Sequence, residues 1–156
     1  MRLAALVGLA VLALDQFTKL LALARLSPGR PVALLDGLLA FTLVMNPGLA
    51  FGVFAATPRG WRWLVALLSL LALTVLAALS ARLLPTGGWP AALGLGLIFG
   101  GALGNLVDRW RFGAVVDFID VYWRGYHWPA FNVADSAITV GVGLLVLRVL
   151  VSRKSA

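Results

Sequence analysis

Four long apolar segments, roughly residues 3–23, 61–84, 91–107 and 136–151, dominate the chain. Of its 156 residues, 62% are hydrophobic and only 12% charged, so water cannot be the solvent for most of this surface. Each segment approaches the ~20 residues that a helix needs to cross a bilayer. The reading is an all-α membrane protein with four transmembrane helices, forming a single integral membrane domain over 1–156, with a small β-sheet in its connecting loops.

Composition removes several chemistries. There is no cysteine, hence no disulfide, thiol nucleophile or thiolate metal site. His127 is the single histidine, which leaves a His-rich metal site or a Ser-His-Asp triad without support. Lys19 and Lys154 are the two lysines, so a serine–lysine dyad has only Ser136 with Lys19 to draw on. The net charge is +7, but the basic residues lie scattered at the ends of apolar runs. They read as anchors to lipid headgroups rather than a nucleic-acid surface. Met1-Arg2 followed by Leu3–Leu14 is similar to a secretory signal. The apolar character resumes after Lys19 and reaches Leu26, which favours an uncleaved first span.

The loops carry the remaining structure. Pro31–Leu35, then Asp36-Gly37, then Leu38–Val44 reads as strand, turn, strand, a hairpin over about 31–45, because Asp-Gly supplies the positive φ of a tight turn. The run Leu49–Ala55 is apolar but short, and suits the membrane interface. Residues 109–134 are polar and aromatic. Two spans separate these two large loops, so both face the same side and can meet.

The six acids are all aspartates, at 15, 36, 108, 117, 120 and 135. A carboxylate is costly in hydrocarbon, roughly 2.5–3.5 kcal/mol at mid-helix and less near the interface. Asp15 and Lys19 stand four apart and can pair on one helix face, either as an ion pair that ends the span or as one wall of a site. Asn46, in Asn46-Pro47-Gly48-Leu49-Ala50-Phe51, is a turn residue or a group that orients a carboxylate. Gly101 and Gly104 permit close helix packing, and Asn105 and Asp108 follow on one face. Asp108 and Arg109 are adjacent and need not pair with each other; an Asp108 carboxylate held by a basic neighbour would stay ionised, which suits support rather than proton shuttling. Asp117 lies in the apolar, β-prone Val115-Val116-Asp117-Phe118, with Asp120 as its competitor. Asn132 and Asp135 are both good helix caps. If Asp117 and Asp135 stand ~4 Å apart, their repulsion at an effective dielectric near 20 is ~4 kcal/mol. One of them then titrates near neutrality, and the pair holds one proton.

These stretches are Asp15-Gln16-x-Thr18-Lys19, Asn46-x-Gly48-x-Ala50-Phe51, Gly101-x-x-Gly104-Asn105-x-x-Asp108-Arg109, Val115-Val116-Asp117-Phe118-Ile119 and Phe131-Asn132-x-Ala134-Asp135-Ser136. In their residues and order they resemble the lipoprotein signal peptidase (signal peptidase II) family of bacteria. The resemblance implies four transmembrane helices in the bacterial inner membrane, both termini cytoplasmic, and an extracytoplasmic β cradle. It implies an aspartyl endopeptidase that cuts diacylglyceryl-modified prolipoproteins just before the lipidated cysteine. The catalytic pair falls on Asp117 and Asp135. Supporting or substrate-binding roles fall on Asp15, Lys19, Asn46, Gly48, Gly104, Asn105, Asp108, Arg109, Asn132 and Ala134. No metal or cofactor is required, the partners are the prolipoproteins and membrane lipid, and the enzyme is expected to be a monomer. A bare positive-inside count points the other way and puts the large loops in the cytoplasm. The rival reading is a small channel or transporter subunit with Asp15, Asp108 and Asp135 as its ion path.

Overall fold

The computed structural model describes residues 1–48 and 62–154. Helix α1 (Arg2–Arg25) leads into strands β1 (Val32–Leu35) and β2 (Leu39–Asn46). Helix α2 (Arg62–Phe112) is followed by strands β3 (Val115–Trp123) and β4 (Tyr126–His127), and helix α3 (Val133–Lys154) closes the chain. Helix α2 is two arms joined at Gly88, whose φ of 60° and ψ of −161° break the helix. The bundle therefore has four rods. Three of them, Arg2–Arg25, Gly88–Phe112 and Val133–Val151, are long and apolar enough to cross a membrane, and Leu64–Ala78 is a shorter apolar stretch.

The rods run longer than the apolar runs alone suggest. The second span was expected to close at Leu84-Pro85; the helix instead passes Pro85 and breaks at Gly88. The third begins at Gly88 and continues to Phe112, and the last begins at Val133, before the apolar run itself. In the third and last rods polar residues are absorbed as helical turns because neighbouring groups satisfy them. Trp61, the expected opening of the second span, and Leu49–Ala55 lie outside the described residues.

The polar groups of α1 face inward and its large apolar groups outward. The buried residues of α1 are Asp15, Lys19 and Ala22, one stripe at i, i+4, i+7, while Leu6, Leu9, Leu14 and Phe17 are exposed. This inversion is what a lipid solvent demands. Small residues bring the rods together. A Cβ at Gly96 would stand 2.7 Å from the Ala4 carbonyl, and one at Gly141 would stand 2.6 Å from the Gly94 carbonyl. The rods therefore meet backbone to backbone, as small-residue interfaces allow.

The sheet has four antiparallel strands in the order β1-β2-β3-β4. The β1–β2 turn closes with Leu35 opposite Leu39, and Gly37 takes the left-handed conformation (φ 78°) that the turn needs. β2 then pairs with β3, Val44 opposite Asp117 and Ala40 opposite Asp120. The two large loops thus meet in one sheet, which places Asp117 over the ends of the helices.

Candidate active site

Asp117 and Asp120 are three apart on β3, so they point to opposite faces of the strand. Asp120 turns to His127, whose Nδ1 lies 2.9 Å from its Oδ2, and that pair belongs to the β3–β4 hairpin. Asp117 turns inward, 1% exposed. Its Oδ1 accepts from Asn132 Nδ2 at 2.7 Å and its Oδ2 from Asn46 Nδ2 at 3.0 Å. Asn46 has both roles that the sequence suggested. Its Oδ1 accepts the Gly48 N–H at 3.0 Å, closing a turn, and this fixes its amide so that the NH₂ faces Asp117.

Asn132 and Asp135 form a reciprocal cap at the start of α3. The Asp135 N–H donates to Asn132 Oδ1 at 2.9 Å, and the Asn132 N–H donates to Asp135 Oδ2 at 3.3 Å. This is a capping box with an aspartate at its third helical position. Asp135 Oδ1 also accepts from Asn105 Nδ2 at 2.8 Å. Capping does not use up this carboxylate, and Asn132 reaches both acids at once. Ser136 Oγ donates to the Asn132 carbonyl at 3.0 Å, so it is part of the same cap.

Beneath this pair sits an ionic knot. Lys19 Nζ lies 2.9 Å from Asp15 Oδ2, 2.8 Å from Asp108 Oδ2 and 2.9 Å from Asn105 Oδ1. The three charged members are at most 2% exposed. The Asp15–Lys19 pair does not end the span, since α1 continues to Arg25. Asp15 Oδ1 accepts the Ala134 N–H at 2.9 Å, and Asp108 Oδ2 accepts the Val116 N–H at 3.1 Å. The knot thereby ties α1 to α2, α3 and β3. Gly104 makes room for it, because a Cβ there would collide with Asp15 Oδ2. The basic partner of Asp108 is Lys19, not the adjacent Arg109. Lys19 is engaged by Asp15, Asp108 and Asn105 while Ser136 Oγ turns to the Asn132 carbonyl, so the two are not paired as a dyad.

Gln16 belongs to the first motif but carries no role in the sequence reading. Its Nε2 donates to Asp108 Oδ1 at 3.0 Å and to the Gly104 carbonyl at 3.2 Å. A polar residue beside Asp15 in an apolar helix was the available signal. Arg109 donates from Nη2 to the Gly48 carbonyl at 2.8 Å and from Nη1 to the Asn105 carbonyl at 3.2 Å. Its buried Nε has no acceptor among the described residues.

Asp117 and Asp135 line one cavity of about 840 Å³, together with Asn46, Asn105 and Arg109. From this polar end the cavity extends along Leu68, Ala72 and Leu76 of α2 and Ile138 and Val140 of α3, under a lip of Trp128–Phe131. The lip and these apolar walls have no distinctive sequence signature. Burial pushes the Asp117 carboxyl up to about 6; the Asn46 amide opposes this, the Asp135 charge adds to it, and Asn132 and Lys19 oppose it.

Comparison with known proteins agrees with this geometry. Residues 7–151 match the family model of signal peptidase (SPase) II, peptidase family A8. A lipoprotein signal peptidase of Geobacter sulfurreducens is 48% identical over 141 residues, covering 90% of this chain and 87% of that protein. One from Pseudomonas aeruginosa (strain UCBPP-PA14) is 44% identical, covering 93% and 86%. A solved structure described as a bacterial membrane enzyme, determined in meso at 2.3 Å, superposes with a TM-score of 0.78. It is 29% identical, covering 97% of this chain and 90% of that one. With its motif residues gathered from α1, β2, α2, β3 and α3 into one site, the chain belongs to the lipoprotein signal peptidase (signal peptidase II) family, multi-pass bacterial membrane aspartic peptidases that cut signal peptides from prolipoproteins.

Proposed function

We propose that Asp117 and Asp135 are the catalytic pair and that the scissile amide lies between them at the polar end of the cavity. The observation that carries this reading is the contact of Asn132 with both carboxylates, through Nδ2 to Asp117 and through its N–H to Asp135. Asp117, raised to about 6, holds the shared proton. Asp135, in the first turn of α3 where the helix dipole favours a negative charge, is the base. Asp135 takes a proton from water, the hydroxide oxygen bonds to the carbonyl carbon, and the Asp117 proton passes to the carbonyl oxygen. On collapse a hydroxyl proton of the intermediate returns to Asp117, the C–N bond breaks and the proton held by Asp135 goes to the leaving amine. The products are a signal peptide with a new carboxylate and a free α-amino group on the mature protein.

The substrate is a prolipoprotein carrying diacylglycerol on the cysteine that follows the cut. The apolar extension of the cavity supports this, since it leads from the two acids to lipid-facing walls and offers acyl chains a dry surface. Arg109 Nε, buried without an acceptor, suits a substrate carbonyl. Trp89 and Trp110 are 68% and 86% exposed. They stand 21 residues apart on one helical arm, about 31 Å at ~1.5 Å per residue, which matches the thickness of the hydrocarbon layer. Asn105 then lies about 8 Å below the Trp110 level. In our reading the sheet faces the outside of the inner membrane and both termini face the cytoplasm; the enzyme acts as a monomer.

The test is Asp117→Asn and Asp135→Asn, made separately and assayed on a lipid-modified precursor in detergent. Each is expected to lower kcat by at least about 10³-fold. Near wild-type cleavage by either variant overturns the assignment. Reporter fusions at Arg30 and at the C-terminus test the orientation.

A further inference from the structure

We infer that Lys19 is a positioning residue that fixes the polarity of the Asn105 side-chain amide and thereby the hydrogen-bond donor presented to Asp135. The inference rests on the reading that Asp117 and Asp135 are the catalytic pair.

Donors and acceptors around Lys19 must match one to one. An ammonium group has three protons and no acceptor. Those of Lys19 go to Asp15 Oδ2, Asp108 Oδ2 and Asn105 Oδ1. Whatever atom of Asn105 faces Lys19 must therefore be its oxygen. Asn132 Nδ2 also donates to that oxygen, at 3.2 Å. With the oxygen held from two sides, the Asn105 NH₂ is left to face Asp135 Oδ1 at 2.8 Å. An amide NH₂ only donates, so the Asp135 oxygen must accept, as an ionised base does. If the amide turned over, its oxygen would face Asp135 Oδ1 and demand a proton there.

Among the described groups, Asn132 Nδ2 also supports this orientation, but as a neutral donor shared with Asp117 and the Val116 carbonyl; the remaining groups around Asp135 do not impose it. From α2, Arg109 uses its Nη1 on the Asn105 backbone carbonyl and its Nη2 on Gly48. From β3, Asp117 is engaged by Asn132 and Asn46. From α1, Asp15 is spent on Lys19 and the Ala134 N–H. From α3 itself, the Asn132 N–H reaches the other oxygen of Asp135. Lys19 is the one charged donor on the far side of the Asn105 amide among the described residues. A lysine that never touches Asp135 thus selects which form of it the site favours.

The experiment compares Lys19→Met and Lys19→Arg with wild type, by the pH dependence of kcat/KM on a lipid-modified precursor, KM and kcat separately, and thermal unfolding in the same detergent. In Lys19→Met the Asn105 oxygen keeps only Asn132 Nδ2, a neutral donor shared with Asp117 and the Val116 carbonyl, and the amide can turn over. The expected result is a kcat loss of about 100-fold with KM within about threefold. The acid limb should move to higher pH by at least about one unit, because the base must now be deprotonated against an acceptor. Lys19→Arg keeps a cationic donor facing Asn105 and is expected to hold the acid limb at its wild-type position even where its rate is lower. A Lys19→Met enzyme that folds and keeps the wild-type limb overturns the inference, as does a Lys19→Arg limb displaced as far as that of Lys19→Met. If Lys19→Met fails to fold, the Lys19→Arg limb decides alone by the same criterion. Failure of the catalytic assignment itself would look different: Asp117→Asn or Asp135→Asn would still cleave while the lysine variants behaved as expected.

Discussion

Two clusters of aspartates lie one above the other in this molecule, with opposite surroundings. Asp15 and Asp108 share the Lys19 ammonium and are sealed. Asp117 and Asp135 receive only neutral donors, the amides of Asn46, Asn105 and Asn132 and one backbone N–H, and open onto a cavity. The first two carboxylates are in direct contact with a buried cation. A carboxylate held by neutral amides beside a second acid keeps its proton within reach. The same residue type thus forms a rivet in one layer and lines a cavity in the next, and the partners differ accordingly.

The contrast can be broken most severely at the rivet. Asp15→Ala leaves Lys19 short of a counter-charge and the Ala134 N–H without its acceptor, a loss of about 3–5 kcal/mol. Thermal unfolding in detergent should show it. A melting temperature within a degree of wild type would mean that the knot is not a rivet.

The second test concerns pH. Asp117 rises from 3.8 to about 6 on folding, so between these values the native state binds more protons than the unfolded one. Its contribution therefore falls as pH rises through this window, by up to about 3 kcal/mol. The wild type should lose stability from pH 4 to 7 relative to Asp117→Asn. Infrared titration should show a protonated carboxyl that disappears near pH 6 and is absent from the variant. Parallel stability curves for the two proteins would refute the raised value.

A smaller effect is expected where the helices approach each other. Gly104→Ala drives a methyl group onto Asp15 and should cost about 1–3 kcal/mol. Gly143→Ala meets nothing within 4 Å and should stay within about 0.5 kcal/mol of wild type or gain slightly. The smallest effect belongs to Asp120→Asn. It alters only the pair with His127 on the outer hairpin, so cleavage should stay within about twofold. A large loss there would mean that Asp120, not Asp117, faces the substrate.

Much of the site could be read along the chain because polar residues are so scarce that each one stands out. The turn at Asp36-Gly37 and the pairing of Asp15 with Lys19 follow from local rules of backbone conformation and helical spacing. Other features did not follow. Asn46 reads as a turn residue or a group that orients a carboxylate, and it closes a turn while donating to Asp117; Asp135 reads as a cap or a site carboxylate, and it caps α3 while lining the cavity. Side chains with two oxygens, or with an oxygen and a nitrogen, can serve two partners, and nothing in the linear order says so. Gln16 was passed over because its partners, Gly104 and Asp108, lie 88 and 92 residues away.

Taken alone, the order of residues determined the solvent, the number of rods, the hairpin and the family, since these depend on hydropathy, turn chemistry and motif order. The tertiary structure decided which aspartates are locked and which stay open to protons, that Asp117 rather than Asp120 faces the cavity, and which way the Asn105 amide points. Charge and hydrogen-bond direction are set by atoms within about 3 Å, and in this fold those atoms come from elements far apart in the chain.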